Sequence, residues 1–293
     1  MRGSDHGATI GKNAHDARAV GNSQRSPTMT EWWWAYLALG AFVGFFSGLL
    51  GIGGGAAIVP MLAFIFAAKQ FAAATVVHLA LGTGIATMVF TAASSARSHH
   101  RHGAVNWAIM LRMAPGIIAG TFGGALIAGV LDLRMLSVIF TTLIYYLAAQ
   151  MLLDRKPGAA RAMPGPAGAT LAAAGIGVVS SLTATGGAAL VVTFLVRRNA
   201  RIHEAIGTAA AITWPLAVAG TTGYILSGFS APDLPQYSIG YVYLPALTGI
   251  AVASMLMAPV GARLAHRTPG RRLKKIFVLV LFSLATSMLV RFF

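Results

Sequence analysis

The sequence has no cysteine. That excludes disulfides, thiolate metal sites and cysteine nucleophiles, and says little about compartment. Acid is scarce. Asp and Glu total 7 in 293 residues, and none lies in the middle of an apolar segment. Cation carriers and proton pumps commonly use intramembrane carboxylates, so a cation substrate is disfavoured and an anion substrate favoured. Charge of either sign reaches only 10%, and no polar stretch is long enough for a soluble domain. There is no HExxH, no GxSxG and no nucleophile–base pair, so nothing argues for an enzyme. His99, His100 and His102 form a loop cluster that reads as a solvated basic loop rather than a metal site. Neither a metal nor a cofactor is expected.

What is present is apolar. Hydrophobic residues make up 56% and mean hydropathy is +0.71, the composition of a polytopic membrane protein. Several runs approach or exceed the roughly 20 residues needed to cross a bilayer. A net charge of +15 would suggest nucleic acid in a soluble protein. Here the bases sit in short loops between apolar runs, so membrane orientation explains them better and no nucleic acid is expected. Residues 1–30 are polar and aperiodic and read as a disordered tail. No apolar h-region follows their basic residues before Trp32, so they do not form a signal peptide. Met29 directly precedes the membrane pattern and is an alternative start.

The chain is organised around Gly44–Leu62, GFFSGLLGIGGGAAIVPML. Gly51, Gly53, Gly54 and Gly55 interrupt an apolar run. Each costs a helix roughly 1 kcal/mol against alanine, so the stretch reads as two half-helices with unwound backbone between them. Such backbone is tolerated in a membrane only where protein buries it or it lines a cavity. The second half-helix turns free N–H groups and a positive dipole end toward the break, an anion site without a charged side chain. A weaker copy lies at 175–195, where Gly186-Gly187-Ala188-Ala189 stands for Gly54-Gly55-Ala56-Ala57. Paired interrupted segments point to a transport site. Close helix packing competes as an explanation of the glycines, but the duplication favours a ligand-lining break. A dinucleotide fingerprint is excluded by context, since no acid follows at the required distance.

Eight segments follow in order. Segment one opens on the interfacial aromatics Trp32–Trp34 and Tyr36, runs to Leu50, and resumes from Ala56 to Ala68. Segments two to four cover Phe71–Ala96, Val105–Leu131 and Met135–Leu153. Asp154–Pro166 is a linker, so the expected domains are 31–153, 154–166 and 167–293. Segment five runs from Ala167 to Val196 through the second break. Segments six and seven cover Ile202–Leu226 and Ile239–Leu264, and segment eight ends at Phe293.

The halves match beyond the breaks. His78xxxGly82-Thr83 corresponds to His203xxxGly207-Thr208. Seven apolar positions from Leu136 to Leu152 match Leu273 to Leu289 at one fixed offset. If segments one and five enter and return as broken hairpins, Arg97, Arg101, Arg155, Lys156, Arg161, Arg197, Arg198, Arg201 and Arg263–Lys275 fall on one side. Lys69, Arg134 and the 227–238 loop, which has no Lys or Arg, fall on the other. This arrangement obeys the positive-inside rule, inverts the halves relative to one another, and puts the basic loops in the cytoplasm.

The candidate substrate-binding residues are Gly51, Gly53, Gly54, Gly55, Gly186 and Gly187 through backbone N–H groups, Ser47, Thr83, Thr185 and Thr208 through hydroxyls, and His78 through charge. Plainer roles compete. The threonines can back-bond within their own helices, the histidines can bond backbone carbonyls, and Arg112 can snorkel to the interface.

The run Gly44, Gly48, Gly51-Ile-Gly53-Gly54-Gly55 with Val59-Pro60, then His78xxxGly82-Thr83, then Val105-Asn106-Trp107 with Pro115-Gly116 and Gly120, resembles the sulfite exporter TauE/SafE family. The likeness covers about 35–293. It implies a bacterial inner-membrane permease for sulfite, sulfoacetate or another organosulfonate, built from two related repeats, with both breaks and nearby hydroxyls approaching the substrate. The second repeat departs from the pattern, since Thr183-Ala-Thr185-Gly186-Gly187 is followed by Val192-Thr193 and no proline. The expectation is an all-α polytopic membrane protein with two inverted repeats, each opening with a Gly-broken helix, that moves a small anion by alternating access. Its partners would be that anion and the lipid bilayer, and a homodimer stays open. The rivals are an anion channel and a non-transport membrane chaperone or assembly subunit.

Overall fold

The computed structural model describes residues 32–50, 55–153 and 163–265, with positions 279, 282, 283, 286 and 290 beyond them. The expected tail, Gly51, Gly53 and Gly54 of the first break, most of the linker and most of segment eight lie outside the described residues. The chain divides into residues 1–33 and residues 34–293. Of the first unit, only 32 and 33 are described.

The described residues form nine helices and one two-stranded hairpin. The helices are α1 (Trp33–Leu50), α2 (Gly55–Ala68), α3 (Ala73–Arg101), α4 (Trp107–Val130), α5 (Leu133–Leu153), α6 (Pro166–Thr183), α7 (Ala188–Val196), α8 (Ile202–Gly228) and α9 (Leu244–Ala265); between α8 and α9 lie β1 (Ser238–Ile239) and β2 (Val242–Tyr243). Five stretches are long and apolar enough to cross a membrane: Ala73–Arg101, Trp107–Val130, Pro166–Thr183, His203–Gly228 and Leu244–Gly261. The protein is all-α and polytopic, and the antiparallel β1–β2 pair is the small exception that the apolar pattern concealed.

Two boundaries differ from expectation. Helix α3 runs on through Arg101, into what reads as a loop, because nothing from Arg97 to Arg101 breaks a helix. The chain turns at Gly103, where φ is +66°. Segment seven begins at Leu244 rather than Ile239. Its first residues form the β-hairpin, with Gly240 at φ +53° and pressed so close that a Cβ there would run into the Ile225 carbonyl.

Direction follows from close approaches. Gly40 and Gly44 of α1 lie against Ile250 and Ser254 of α9, so these helices run parallel. Gly116, Gly120 and Gly124 of α4 lie against Thr170, Ala174 and the Val178–Ser181 turn of α6, so these also run parallel. This four-residue spacing lets backbones meet without intervening side chains. Helices α3 and α8 run antiparallel. Gly207, near the start of α8, meets Ala104 just past the end of α3; Gly220 meets Ile85; and Gly228, at the end of α8, meets Tyr241, which itself sits on Gly82 of α3.

Helices α1 and α2 form a returning hairpin. Tyr36 near the start of α1 and Phe66 near the end of α2 both pack on Tyr243, with ring centroids 6.5 and 5.5 Å apart. In the second half, α6 and α7 contribute Ala173, Ala188, Val191 and Leu195 to one buried cluster with Met113 of α4 and Ile212 of α8. Arg97 and Arg101 on the last turns of α3 and Arg197, Arg198 and Arg201 before α8 gather at one end, where Ala104 abuts Gly207. Lys69 and the 229–239 loop gather at the other, around Tyr241–Tyr243.

Candidate functional site

The second break is fully described. Helix α6 ends at Thr183, and Ala184, Gly186 and Gly187 all take positive φ (+45°, +71° and +66°) before α7 begins at Ala188. Residues 183–188 are buried. Gly187 is needed twice over: its φ suits glycine, and a Cβ would lie 2.7 Å from the Ser180 hydroxyl and 2.9 Å from Leu216.

Buried backbone released by a break must find partners. The Ser181 carbonyl accepts a 2.9 Å bond from the Tyr224 hydroxyl. The Gly186 carbonyl accepts a 2.9 Å bond from Thr213, whose hydroxyl also reaches Ala209 at 2.9 Å. Thr183 and Thr185 share a 2.9 Å hydroxyl–hydroxyl bond. At the start of α7 no side chain caps the helix, which leaves its first-turn N–H groups directed into the break.

The two hairpins converge on the middle of α3. A Cβ on Gly84 would lie 3.3 and 3.4 Å from Ile58 and Val59 of α2, and 3.8 Å from Ala184 of the second break. One turn further along α3 is a cavity of about 20 Å³. Its wall is Ser47 of α1, Met88, Thr91, Ala92 and Ser95 of α3, Ala188 of α7, and Ala210 and Thr213 of α8. Hydroxyls and a helix N-terminus face this space, and no charged side chain among the described residues does. It has room for roughly one water.

The candidate residues divide. Ser47, three residues before α1 ends, lines the cavity. Gly187 is the N-cap of α7, and Gly186 is bonded to the cavity-lining Thr213. Thr185 is buried beside them, 4% exposed. Gly55 is the first residue of α2, while Gly51, Gly53 and Gly54 lie outside the described residues.

Thr83, Thr208 and His78 lie elsewhere. Thr83 accepts a 3.0 Å bond from the Tyr243 N–H. Thr208 accepts a 2.9 Å bond from the Asn106 N–H. Beside them, Gly82 admits the Tyr241 carbonyl and Gly207 admits the Ala104 carbonyl. Each Gly-Thr pair therefore docks the chain that follows the other half's long helix. Ala104 and Tyr241 stand at the same offset that relates Leu136 to Leu273. His78 bonds the Ala128 and Leu131 carbonyls at the end of α4, both at 3.1 Å, and stacks on Tyr241 with centroids 4.9 Å apart. His203 is exposed.

Thr91, Ser95 and Thr213 were not among the sequence candidates. A signal for two of them existed. Thr83, Thr87, Thr91 and Ser95 recur every four residues, so one face of α3 carries a hydroxyl stripe that leads from the Thr83 dock to the cavity.

Residues 22–288 match the family model described as sulfite exporter TauE/SafE. The chain is 36% identical over 256 residues to a probable membrane transporter protein of Haemophilus influenzae, an alignment covering 87% of this chain and 97% of that one. It is 28% identical over 244 residues to the probable membrane transporter protein YdhB of Bacillus subtilis, covering 81% and 92%. A probable membrane transporter protein of Methanocaldococcus jannaschii is 22% identical over 261 residues, covering 87% and 94%. No solved structure matches the chain.

Proposed function

Because this chain belongs to the sulfite exporter TauE/SafE family and is a multi-pass membrane transporter of that type, we propose that its cargo is a small oxyanion, sulfite or an organosulfonate, held where the two breaks meet. The observation that carries this reading is the shared cavity. Ser47, just before the first break, and Ala188, just after the second, face one buried space with three further hydroxyls. Uncapped N–H groups of α7 suit an anion's oxygens, Ser47 and Ser95 add hydroxyls, and no carboxylate among the described residues lines the cavity to repel it.

Transport is by alternating access. A cavity of about 20 Å³ must enlarge for a tetra-atomic oxyanion. The hairpins α1–α2 and α6–α7 are the elements whose movement opens it, one toward each end. The reciprocal Gly-Thr docks support inverted repeats as the frame for that movement. The basic end faces the cytoplasm of a bacterial inner membrane, in line with the positive-inside rule.

Thermal unfolding of purified protein against sulfite, sulfoacetate, taurine, sulfate, phosphate, acetate and chloride tests the cargo. A ligand at about 100 times its Kd stabilises by roughly 2.7 kcal/mol. A shift with sulfite or a sulfonate, followed by saturable liposome flux that Ser47→Leu abolishes, is the expected result. A shift with carboxylates alone would discard the sulfur chemistry, and flux without saturation would make the protein a channel.

A further inference from the structure

We propose a second oxyanion site, a vestibule built from Lys69, Tyr36 and Tyr243 at the end of the molecule opposite the basic loops, which takes the sulfonate-type anion on its path to or from the cavity. It rests on the cargo reading only for the identity of the anion.

Lys69 follows α2 directly. Its Nζ donates to the Tyr243 hydroxyl at 3.3 Å and lies 5.3, 5.5 and 5.8 Å from the ring centroids of Tyr243, Phe71 and Tyr36. The ammonium is half-buried, and no carboxylate among the described residues pairs with it. Burial alone pushes its pKa down. A cation partly withdrawn from water is normally compensated by an anion. Here three rings compensate it in part, and the anion's place is open.

The polar groups nearby also have donors in reserve. An ammonium carries three protons, and one goes to Tyr243. Tyr243 accepts that bond and keeps its own phenolic proton to give. Tyr36, 1% exposed, has a hydroxyl with no hydrogen-bond partner among the described residues. A clasp made only of cation–π contacts leaves that hydroxyl orphaned. An oxyanion accepts from all three groups at once, and charge-assisted bonds of this kind are the strong ones.

Position gives the site its use. Tyr36 opens α1, Lys69 closes α2, and Tyr243 belongs to the other half of the chain. The three thus meet where the first hairpin starts and returns. At the corresponding dock on the other end, a carboxylate stands instead: Glu204 accepts a 2.6 Å bond from Asn106.

The test is acylation of Lys69 by an N-hydroxysuccinimide ester, read by mass spectrometry. It uses the full chain in phosphatidylcholine nanodiscs, with sulfoacetate, sulfate or chloride at equal ionic strength. At ten times its Kd, sulfoacetate leaves about a tenth of the sites open, so Lys69 acylation falls about tenfold against chloride while Lys156, Lys274 and Lys275 are unchanged. Tyr36→Phe weakens the protection. Lys69→Gln raises the KM of liposome flux roughly tenfold with kcat retained, the loss of one charge-assisted bond, and Lys69→Arg restores it. Equal acylation in sulfoacetate and chloride overturns the vestibule, as does protection that appears only when phosphatidylglycerol is present, which would make the occupant a lipid headgroup. Protection that survives in Ser47→Leu while flux is lost sustains both sites as separate, whereas protection in a protein whose flux Ser47→Leu leaves intact, or in a wild-type protein showing no flux, sustains the vestibule while the cavity reading falls.

Discussion

The Gly82-Thr83 dock and the Gly207-Thr208 dock share a backbone and differ in side chains. In each, a glycine admits a carbonyl and the next threonine accepts the N–H two residues further along the docked strand. At Gly82 the docked residues are Tyr241 and Tyr243, with Lys69 above them. At Gly207 they are Ala104 and Asn106, with Glu204 beside them. Backbone geometry is what keeps each half's long helix clamped to the other half. The side chains differ around that shared geometry, with a cation at one end and a carboxylate at the other.

The sharpest way to break the comparison is to fill the glycines. A side chain at either position runs directly into a backbone carbonyl that cannot move aside without undoding the dock. Gly82→Leu and Gly207→Leu should each destabilise at or beyond the upper end of about 1–3 kcal/mol, read as thermal unfolding and monodisperse yield in detergent. If one variant stays as stable as the wild type, the two docks are not equivalent.

Removing the hydroxyls sharpens it. Thr83→Val and Thr208→Val keep shape and leave a backbone N–H without its acceptor, a loss of about 1–3 kcal/mol for a buried group. The Thr83 bond is fully buried and the Thr208 bond only in part, so Thr83→Val should cost more. The reverse order would mean that water reaches the Tyr243 end.

Side chains come next. Asn106 caps α4 through a 3.1 Å bond from the Ile109 N–H while donating to Glu204. Asn106→Ala should cost about 1 kcal/mol, and Glu204→Gln less, since the amide oxygen still accepts. If Glu204→Gln proves the costlier change, the charge rather than the bond matters at this dock.

Much of this was legible in the residues. The paired HxxxGT signatures marked the docks, and Gly186-Gly187 marked the second break. What the signatures do was not legible. A threonine hydroxyl accepts a backbone N–H as readily as it binds an oxyanion, and the partner of Thr83 lies 160 residues away. The left-handed turn at Ala184 carries no glycine to announce it. The β-hairpin was hidden because Ile239, Tyr241, Val242 and Tyr243 count as apolar residues of the next helix. Their β-branched and aromatic character, with Gly240 between them, was the cue. Ser47 could be placed near the cavity because it sits beside the Gly51–Gly55 cluster, whereas Thr213 comes from α8 with no pattern to single it out.

The smallest effect separates the two ends by pH. Burial lowers the Lys69 pKa in the folded protein below that of the unfolded chain, which is about 10.4. Between those two values the unfolded state holds a proton that the folded state has released, so stability rises with pH across that window and the penalty is fully present below it. Subtracting the Lys69→Met unfolding profile from the wild-type profile should therefore show wild type gaining on the variant as pH approaches 10.4. An oxyanion bound beside Lys69 favours the ammonium and moves the window upward, so saturating sulfoacetate should shift the gain to higher pH. A difference profile that is flat in chloride would show that the lysine stays as solvated in the folded protein as in the unfolded chain, and the contrast between the two docks would then rest on aromatic packing alone.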